Sequence, residues 1–462
     1  MPNELKKSLK RHLFSSRLIS GRADKLLTPK FYIMNKLFLF CTAVTCMFCF
    51  NLQAQQYTIV IKGGHVIDPK NHIDQVMDVA ILNGKVARVA ADISTKDAVQ
   101  VVDAKGLYVS PGLIDLHTHN FQGTEPDHYL NDGFDALTPD GFTFRVGVTT
   151  VVDAGCAGWR NFALFKKNIV DRSKTRVLAM LNVVGEGMRG GAYEQDTTDM
   201  SSKMIALVAN NNKDIIVGIK VAHFEGHEWT AVDHAVAAGE KANIPVMIDF
   251  GGSTPALSLD ELFMKHLRKG DIYTHMYAGL YPSREEIIDP ATGKVKPYFL
   301  AARQRGILFD VGYGGISFTY REGLPAVKEG FYPNTISTDI HSESMNGSMK
   351  DMMSVMSKFL NMGMPLNEVI KASTWSSAQA VKKEQLGNLS EGAPADVTVF
   401  DLRKGNFGFY DYTGIKQKGT EKFECEVTIR DGKIVYDLNG IADPEFPGRQ
   451  AIKKGASEHH KL

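Results

Sequence analysis

Two histidines, His117 and His119, stand two residues apart at the end of an apolar run, Asp115-Leu116-His117-Thr118-His119. On a β-strand, residues i and i+2 point to the same side. Both imidazoles can therefore reach one ion, and imidazole nitrogen suits Zn2+ and similar divalent metals. Alone, the pair is a weak signal, because two surface histidines read identically. Three other residues end apolar segments further along: Lys220 in Val217-Gly218-Ile219-Lys220, His275 in Tyr273-Thr274-His275, and Asp339 in Ile336-Ser337-Thr338-Asp339. Each has a bland reading by itself: a snorkelling lysine, a satisfied core histidine, a helix cap. Their joint order along a series of strands is what gives the set chemical meaning.

The series consists of strand candidates over Gly112–Leu116, Thr149–Asp153, Val177–Val184, Ile215–Val221, Pro245–Phe250, Asp271–His275, Ile307–Val311 and Thr335–Thr338. Near-continuous Val/Ile/Leu runs fit parallel strands buried on both faces. Helical patterns over Ala231–Ala242, Leu259–Lys269 and Phe299–Arg305 separate some of them. The alternation implies an α/β class, and eight units in series predict a (β/α)8 TIM barrel over residues 112–384 with its active site at the C-terminal ends of the strands. A doubly wound open sheet shares the same alternation. Short alternating segments flank this region. Tyr57 to Gly64, Val79 to Val86 and Val101 to Leu107 precede it, with Asn-Gly and Gly-Gly read as turns. Ala395–Phe400 and Val427–Tyr436 come after it. These predict a small β-sandwich built from both chain ends, residues 55–111 and 385–450, with a tail at 451–462.

The N-terminus reads differently. Met34-Asn35-Lys36, an apolar run from Leu37 to Phe50 and a small residue at Ala54 form the pattern of a signal peptide over 34–54. The apolar run is shorter than the roughly 20 residues of a membrane span. Residues 1–33 are basic and lack a core pattern, so they read as an upstream extension, with Met34 as the start. The expectation is an exported, periplasmic protein with no stable membrane anchor after cleavage. Three of the five cysteines fall in that segment, which leaves Cys156 and Cys425, too few for a disulfide framework. With 53 Lys+Arg against 52 Asp+Glu in 462 residues, overall charge supplies no reason to expect nucleic acid as a partner. A small molecule is the expected substrate.

The run Val109-Ser110-Pro111-Gly112-Leu113-Ile114-Asp115-Leu116-His117-Thr118-His119 resembles the first-strand signature of the amidohydrolase superfamily. The Lys220, His275 and Asp339 segments resemble its fourth-, sixth- and eighth-strand landmarks. Gly387-Asn388-Leu389 through Val397 is similar to the turn that re-enters the flanking sheet. Gly147-Val148-Thr149-Thr150-Val151-Val152-Asp153-Ala154-Gly155 and Ile307-Leu308-Phe309-Asp310-Val311-Gly312 look like the dihydroorotase-like branch of amidohydrolase/deacetylase metallohydrolases. The resemblance implies two divalent ions, commonly zinc, that share a hydroxide. His117 and His119 would hold the first ion, Lys220 would carry a bridging carbamate, and His275 would hold the second ion. Asp339 would bind the first ion and serve as general base. The resemblance also implies a homo-oligomer.

Two departures stand out. The fifth strand of such families carries a histidine, where this chain has Asp249 in Pro245-Val246-Met247-Ile248-Asp249. Either Asp249 is a carboxylate ligand, which makes Mn2+ or Fe2+ more tolerable, or it faces elsewhere and one ion binds tightly. After strand seven, Gly312-Tyr313-Gly314-Gly315 has Tyr313 where relatives can carry histidine. Tyr313 and Gly314 are substrate-contact candidates, or else part of a tight loop. Arg189 could clamp a carboxylate. His223, His227 and His341 are further mouth candidates, or solvated loop positions. Cys156 reads as an inert buried thiol. Three functions compete: deacylation of an N-acyl amino acid or acylated hydroxy acid, cyclic-amide hydrolysis as in dihydroorotase or hydantoinase, and metal binding without catalysis. Phe121 occupies a position where dihydroorotases carry arginine, which lowers the second. Asp339, the proton shuttle, argues against the third.

Overall fold

The computed structural model describes residues 57–96, 98–249 and 252–445. The upstream extension, the signal peptide and the 451–462 tail lie outside the described residues, as does Phe250 of the fifth strand candidate. No helix among the described residues is long and apolar enough to cross a membrane.

Strands from both ends of the described residues share one eight-stranded mixed sheet. Its strands are β1 (Tyr57–Asp68), β2 (Ile73–Leu82), β3 (Lys85–Ala90), β4 (Ala98–Asp103), β5 (Tyr108–Pro111), β13 (Val397–Tyr410), β14 (Lys416–Arg430) and β15 (Lys433–Asp437). The order is β15-β14-β13-β5-β1-β2-β3, with β4 also beside β1. The join between the two ends is β13 running antiparallel to β5, with Val397 opposite Pro111 and Phe400 opposite Tyr108. The sequence predicts a two-sheet sandwich, whereas all eight strands share one hydrogen-bonded network that forks at β1. The first half of β1 pairs with β4, and His65 and Val66 pair with β5. Ile59, Ile61, Val79, Ile81, Val397, Val427 and Ile429 form its buried core.

The fork explains a second departure. Gly63-Gly64, expected as a turn, lies inside β1, where the pairing with β2 slips between Ile61 and Gly64. A Cβ on Gly64 would stand 2.4 Å from Val109 Cγ2, so only glycine lets β5 approach. Asn83-Gly84 does make the β2–β3 turn, with φ of 51° and 76°. Both residues thus have the positive φ that a two-residue hairpin turn needs.

The second sheet holds seven parallel strands in chain order: β6 (Leu113–Thr118), β7 (Val148–Ala154), β8 (Arg176–Asn182), β9 (Ile216–Val221), β10 (Val246–Ile248), β11 (Ile272–Tyr273) and β12 (Leu308–Phe309). Each falls on a predicted strand. Alternate residues serve two cores. Ile114, Leu116, Val152, Ala154, Leu178 and Met180 pack with Ala378 and Val381. Leu113, Val151, Val177, Ala179, Ile216 and Ile219 join the large core that includes helical residues such as Ala235 and Phe299. Helices Thr230–Ala242 and Pro297–Arg305 sit where the sequence predicts them. The predicted helix over Leu259–Lys269 is present as one helical run, an α-helical turn at Leu259–Glu261 that continues as a π-helix over Leu262–His266.

The eighth strand candidate and the two residues after it form isolated bridges rather than a regular ladder. Thr335 bridges Asp310, and Ile340 bridges Thr118. Backbone hydrogen bonds accompany these bridges, from Val311 N to Thr335 O, from Asp339 N to His117 O and from His119 N to Ile340 O. The segment is thus bonded to strand seven on one side and to strand one on the other.

Candidate metal centre

The C-terminal ends of the parallel strands bring six side chains together. His117 and His119 come from the end of β6, Lys220 from β9, and Asp249 from the residue after β10. His275 follows β11 by two residues, and Asp339 lies in the eighth segment. None is more than 9% exposed. Asp339 Oδ1 is 2.7 Å from His119 Nε2 and 3.3 Å from His117 Nε2. Lys220 Nζ is 2.9 Å from His117 Nε2 and 3.7 Å from Asp249 Oδ2. Asp249 Oδ2 is 3.1 Å from His275 Nε2. The set thus runs from His119 through Asp339, His117 and Lys220 to Asp249 and His275.

Local backbone aims these groups. The β6–β7 register shifts between Asp115 and Thr118, an irregularity of the kind that re-aims side chains. His275 and Asp339 have φ of 57° and 53°, a left-handed conformation that costs a non-glycine residue about 1–3 kcal/mol and persists only where surrounding contacts enforce it. The Asp339 N–H donates to His117 O at 2.7 Å. His275 Nδ1 lies 2.5 Å from Gly312 O.

Hydrogen bonding also selects the ring nitrogens that face inward. Thr274 Oγ1 donates its one proton to Asp310 Oδ2 at 2.8 Å, so toward His117 Nδ1 at 3.1 Å it accepts. The Nε2 lone pair of His117 is thereby left for the centre. Asp310, fully buried, also accepts from Thr335 Oγ1 and Ser337 Oγ. The Gly312 carbonyl can only accept, so His275 likewise keeps its Nε2 lone pair. His119 Nδ1 contacts Cys156 Sγ at 3.2 Å. Burial holds that thiol well above the usual cysteine range, consistent with an inert role. Sequence reasoning passes over Thr274 and the part Asp310 plays in orienting His117. The one signal for them is their place in the strand-end segments.

Charges in the cluster are strongly coupled. Burial alone would raise the Asp339 carboxyl, but His117 and His119 beside it hold it well below the carboxylate range. Burial opposes ionisation of Asp249 too, and His275, Lys220 and Arg284 outweigh it. Burial and the Lys220 charge push His117 down to about 3, against the pull of Asp339 in the other direction. Burial raises Asp115, which accepts from Thr338 Oγ1 and N, to about 7. Arg284 is a residue that sequence reasoning misses entirely. It is 4% exposed and donates from Nη2 to Asp249 Oδ1 at 2.8 Å.

Ligand atoms of His117, His275 and Asp339 all lie within 4.8 Å of one another. Imidazole nitrogens and carboxylate oxygens are the donors a divalent metal takes, so the cluster fits such an ion.

The softer candidates divide. The His341 ring is buried and 6.2 Å from that of His119. A Cβ on Gly314 would stand 2.4 Å from Asp339 Oδ2, so this glycine lets the loop pass close to the carboxylate. His223 Nδ1 is 2.8 Å from Glu194 and its Nε2 is 4.0 Å from Asp249. Desolvation disfavours its charged form, yet the Glu194 carboxylate prevails and raises it to about 9. Arg189 stacks on Tyr193 at 3.9 Å between Asp127 and Glu186, outside the cluster. His227 is exposed. Tyr313, a substrate-contact candidate, is corrected by the structure. Its ring is buried against Phe318 and its hydroxyl is taken by Lys358 and by Tyr410 O, which leaves none of it for a substrate.

A parallel α/β sheet thus gathers imidazoles, carboxylates and a lysine at its C-terminal edge, a set that could hold a divalent metal. The sequence pattern of the Amidohydrolase family matches residues 108–435. A deacetylase of Brucella anthropi is 33% identical over 369 residues, 78% of this chain and 87% of that protein. The crystal structure of an adenine deaminase superposes with TM-score 0.73 at 29% identity, covering 83% of this chain and 100% of that one. That of a dihydroorotase gives 0.72 at 29% identity, covering 82% and 99%. The chain belongs to the amidohydrolase family and is a hydrolase of carbon–nitrogen bonds.

Proposed function

We propose that this protein is a metal-dependent deacylase that hydrolyses the amide or ester bond of a small acylated carboxylic acid, such as an N-acyl amino acid or an acylated hydroxy acid. The observation that carries this reading is the ionised Asp339 carboxylate, 2.7 Å from His119 and 3.3 Å from His117. His117, His119 and Asp339 would hold one ion, His275 and Asp249 a second, and Lys220 a carbamate between the two. The ions are zinc in this reading, and the Asp249 carboxylate makes Mn2+ or Fe2+ tolerable. Divalent ions held by these residues would supply Lewis acidity for a carbonyl and for a water at neutral pH. Asp339 then accepts the proton of the attacking water and returns it to the departing nitrogen or oxygen.

Acyl removal is favoured by the likeness to a protein named deacetylase and by cationic groups near the rim. His223 is the nearer of these and Arg189 the more distant. Both suit a substrate carboxylate. Cyclic-amide hydrolysis is the second reading, favoured by the likeness to a dihydroorotase structure. Against it, Phe121 is fully buried against Phe165, with ring centroids 5.3 Å apart, and offers no guanidinium. A panel of N-acetyl amino acids, acetylated hydroxy acids and cyclic amides, assayed with Zn2+ or Mn2+, separates these readings. Turnover confined to cyclic amides overturns the first. Tight metal binding with no turnover at all favours a non-catalytic barrel.

Three further readings belong with this one. The hydrogen bonds from 335–340 to both neighbouring strands support an eighth strand that closes a (β/α)8 barrel. The barrel would span 112–384, flanked by a sheet domain from 55–111 and 385–450. The signal-peptide pattern over 34–54 supports export to the periplasm. N-terminal sequencing of the mature protein should begin just after Ala54, and a start near residue 1 rejects export.

A further inference from the structure

A second, unrelated site lies where the β13–β14 hairpin meets the helix Met352–Asn361. A cavity of about 120 Å3 opens there, lined among others by Ser348, Lys350, Lys358, Tyr410 and Lys422. It shares no lining residue with the metal centre, and its chemistry is independent of the proposed hydrolytic activity.

Three lysines in so small a space form a concentration of positive charge that Asp411 and Asp351 offset only from a distance. Lys358 is 2% exposed and lies against three oxygens: the Tyr313 hydroxyl at 2.7 Å, the Tyr410 carbonyl at 3.1 Å and the Ser348 carbonyl. All three are uncharged. An ammonium has three donors, so Lys358 is saturated in hydrogen bonds. Lys350 Nζ lies 3.3 Å from the Tyr410 hydroxyl, again a neutral partner. Among the described residues, neither these two lysines nor Lys422 has a carboxylate within ion-pair distance. The nearby carboxylates act on Lys358 at longer range and take their hydrogen bonds from backbone groups. Asp351 accepts from Ser354 N at the start of the helix, and Asp411 accepts from the N–H groups of Tyr320, Thr413 and Ile415.

Two independent features point into the same space. The Ser348 hydroxyl is buried, at 6% exposure for the residue, and lies beside the Tyr313 hydroxyl without a hydrogen bond of ordinary length. A buried hydroxyl left unpaired keeps its full desolvation penalty, and a ligand oxygen would remove it. Lys350 has φ of 71°. Non-glycine residues held in this strained conformation cluster at ligand sites and clamps.

We propose that this cavity binds a compact oxyanion, a phosphate or carboxylate group, which Lys350 and Lys422 hold by charge-assisted hydrogen bonds and to which the Ser348 hydroxyl donates. Lys358 lies behind them, hydrogen-bonded to neutral oxygens. No bond is made or broken; the site is a binding site only.

Because an oxyanion can also bind at a metal centre, the test compares proteins. The whole protein, with its metal, is titrated calorimetrically with inorganic phosphate and, separately, with acetate. The same titrations are run on the Lys350→Met/Lys422→Met double variant. Lys350 is exposed and Lys422 half-buried, so the variant should fold and melt as the wild type does. Ser348→Ala serves as a second, more conservative variant. The expected result is saturable binding of at least one of the two anions to the wild type, weakened about tenfold or more in the double variant and by rising ionic strength. Phosphate binding alone identifies a phosphate-bearing ligand, and binding of both anions identifies oxyanions in general. Equal affinity in wild type and double variant places the anion elsewhere and overturns the proposal. So does the absence of binding to the wild type up to about 50 mM of either anion, a limit beyond millimolar affinity.

Discussion

Arg284 donates from Nη2 to Asp249 Oδ1 at 2.8 Å, and both side chains are buried. Asp249 stands where the family resemblance leads one to expect a neutral histidine, and it adds a negative charge to the cluster. The guanidinium offsets that charge from one side, while Asp249 Oδ2 faces His275 at 3.1 Å and Lys220 at 3.7 Å. The pair therefore accounts for how a carboxylate is accommodated at this strand end.

Removing one partner of such a pair leaves a bare buried charge. Arg284→Met should destabilise the fold by about 3–5 kcal/mol, as the loss of one member of a buried ion pair typically does. Chemical denaturation measures this. The Asp249→Asn/Arg284→Met double variant should recover much of the loss, because the remaining group is neutral. A single variant as stable as wild type would show that Asp249 does not depend on Arg284.

Asp339→Asn should keep the fold and lose roughly 10^2- to 10^4-fold in kcat, the range typical of a general base. The carboxamide cannot accept the proton. Steady-state kinetics, alongside metal content and circular dichroism, checks this. Rates near wild type reject the role assigned to Asp339.

Metal removal should act on activity and stability together. Dialysis against a strong chelator is expected to abolish turnover and to lower Tm, since ligands that bind only the native state stabilise it. Re-addition of Zn2+ or Mn2+ should restore both. Elemental analysis of the fresh protein should find close to two ions per chain. Full activity in metal-free protein contradicts the proposed chemistry.

Lys358 gives a pH signature of its own. Burial lowers it from 10.5 to about 7, with the Lys350 charge adding to the effect. A group whose folded value lies below its unfolded value leaves the unfolded chain binding more protons between the two. Stability therefore rises with pH across that window. Below about 7 both states are protonated and the folded state bears the full cost of the buried charge. Lys358→Met removes the titration. The stability difference, wild type minus variant, should become more favourable to wild type from pH ~6.5 to ~10, by a few kcal/mol at most. Denaturant titrations at a series of pH values measure it, and a flat difference rejects the assignment.

Much of this architecture is legible in the chain because it is written in short-range patterns. Apolar runs at β6 through β12 mark strands buried on both faces. Asn83-Gly84 marks a hairpin because few residues accept positive φ. The ordered appearance of His117, His119, Lys220, Asp249, His275 and Asp339 at strand ends names the cluster from the chain alone. Gly63-Gly64 reads as a turn because a turn and a bulge ask the same freedom of glycine. What separates them is Val109, more than 40 residues away, and its approach is a tertiary fact. Tyr313 misleads for a related reason. Its place in a loop after strand seven says nothing about which side its ring takes, and Lys358 and Phe318 decide that.

The sequence by itself determined the element types, the family and the identity of the side chains that can bind metal, since composition and spacing encode each of these locally. Only the tertiary structure decided how those side chains are oriented, held and charged. It is the fold that pairs Arg284 with Asp249 across 35 residues, and it is the fold that leads Asp310 through Thr274 to His117. The physical reason is that hydrogen bonds and charge compensation act over a few ångströms of space, whatever the distance along the chain, and only folding sets that space.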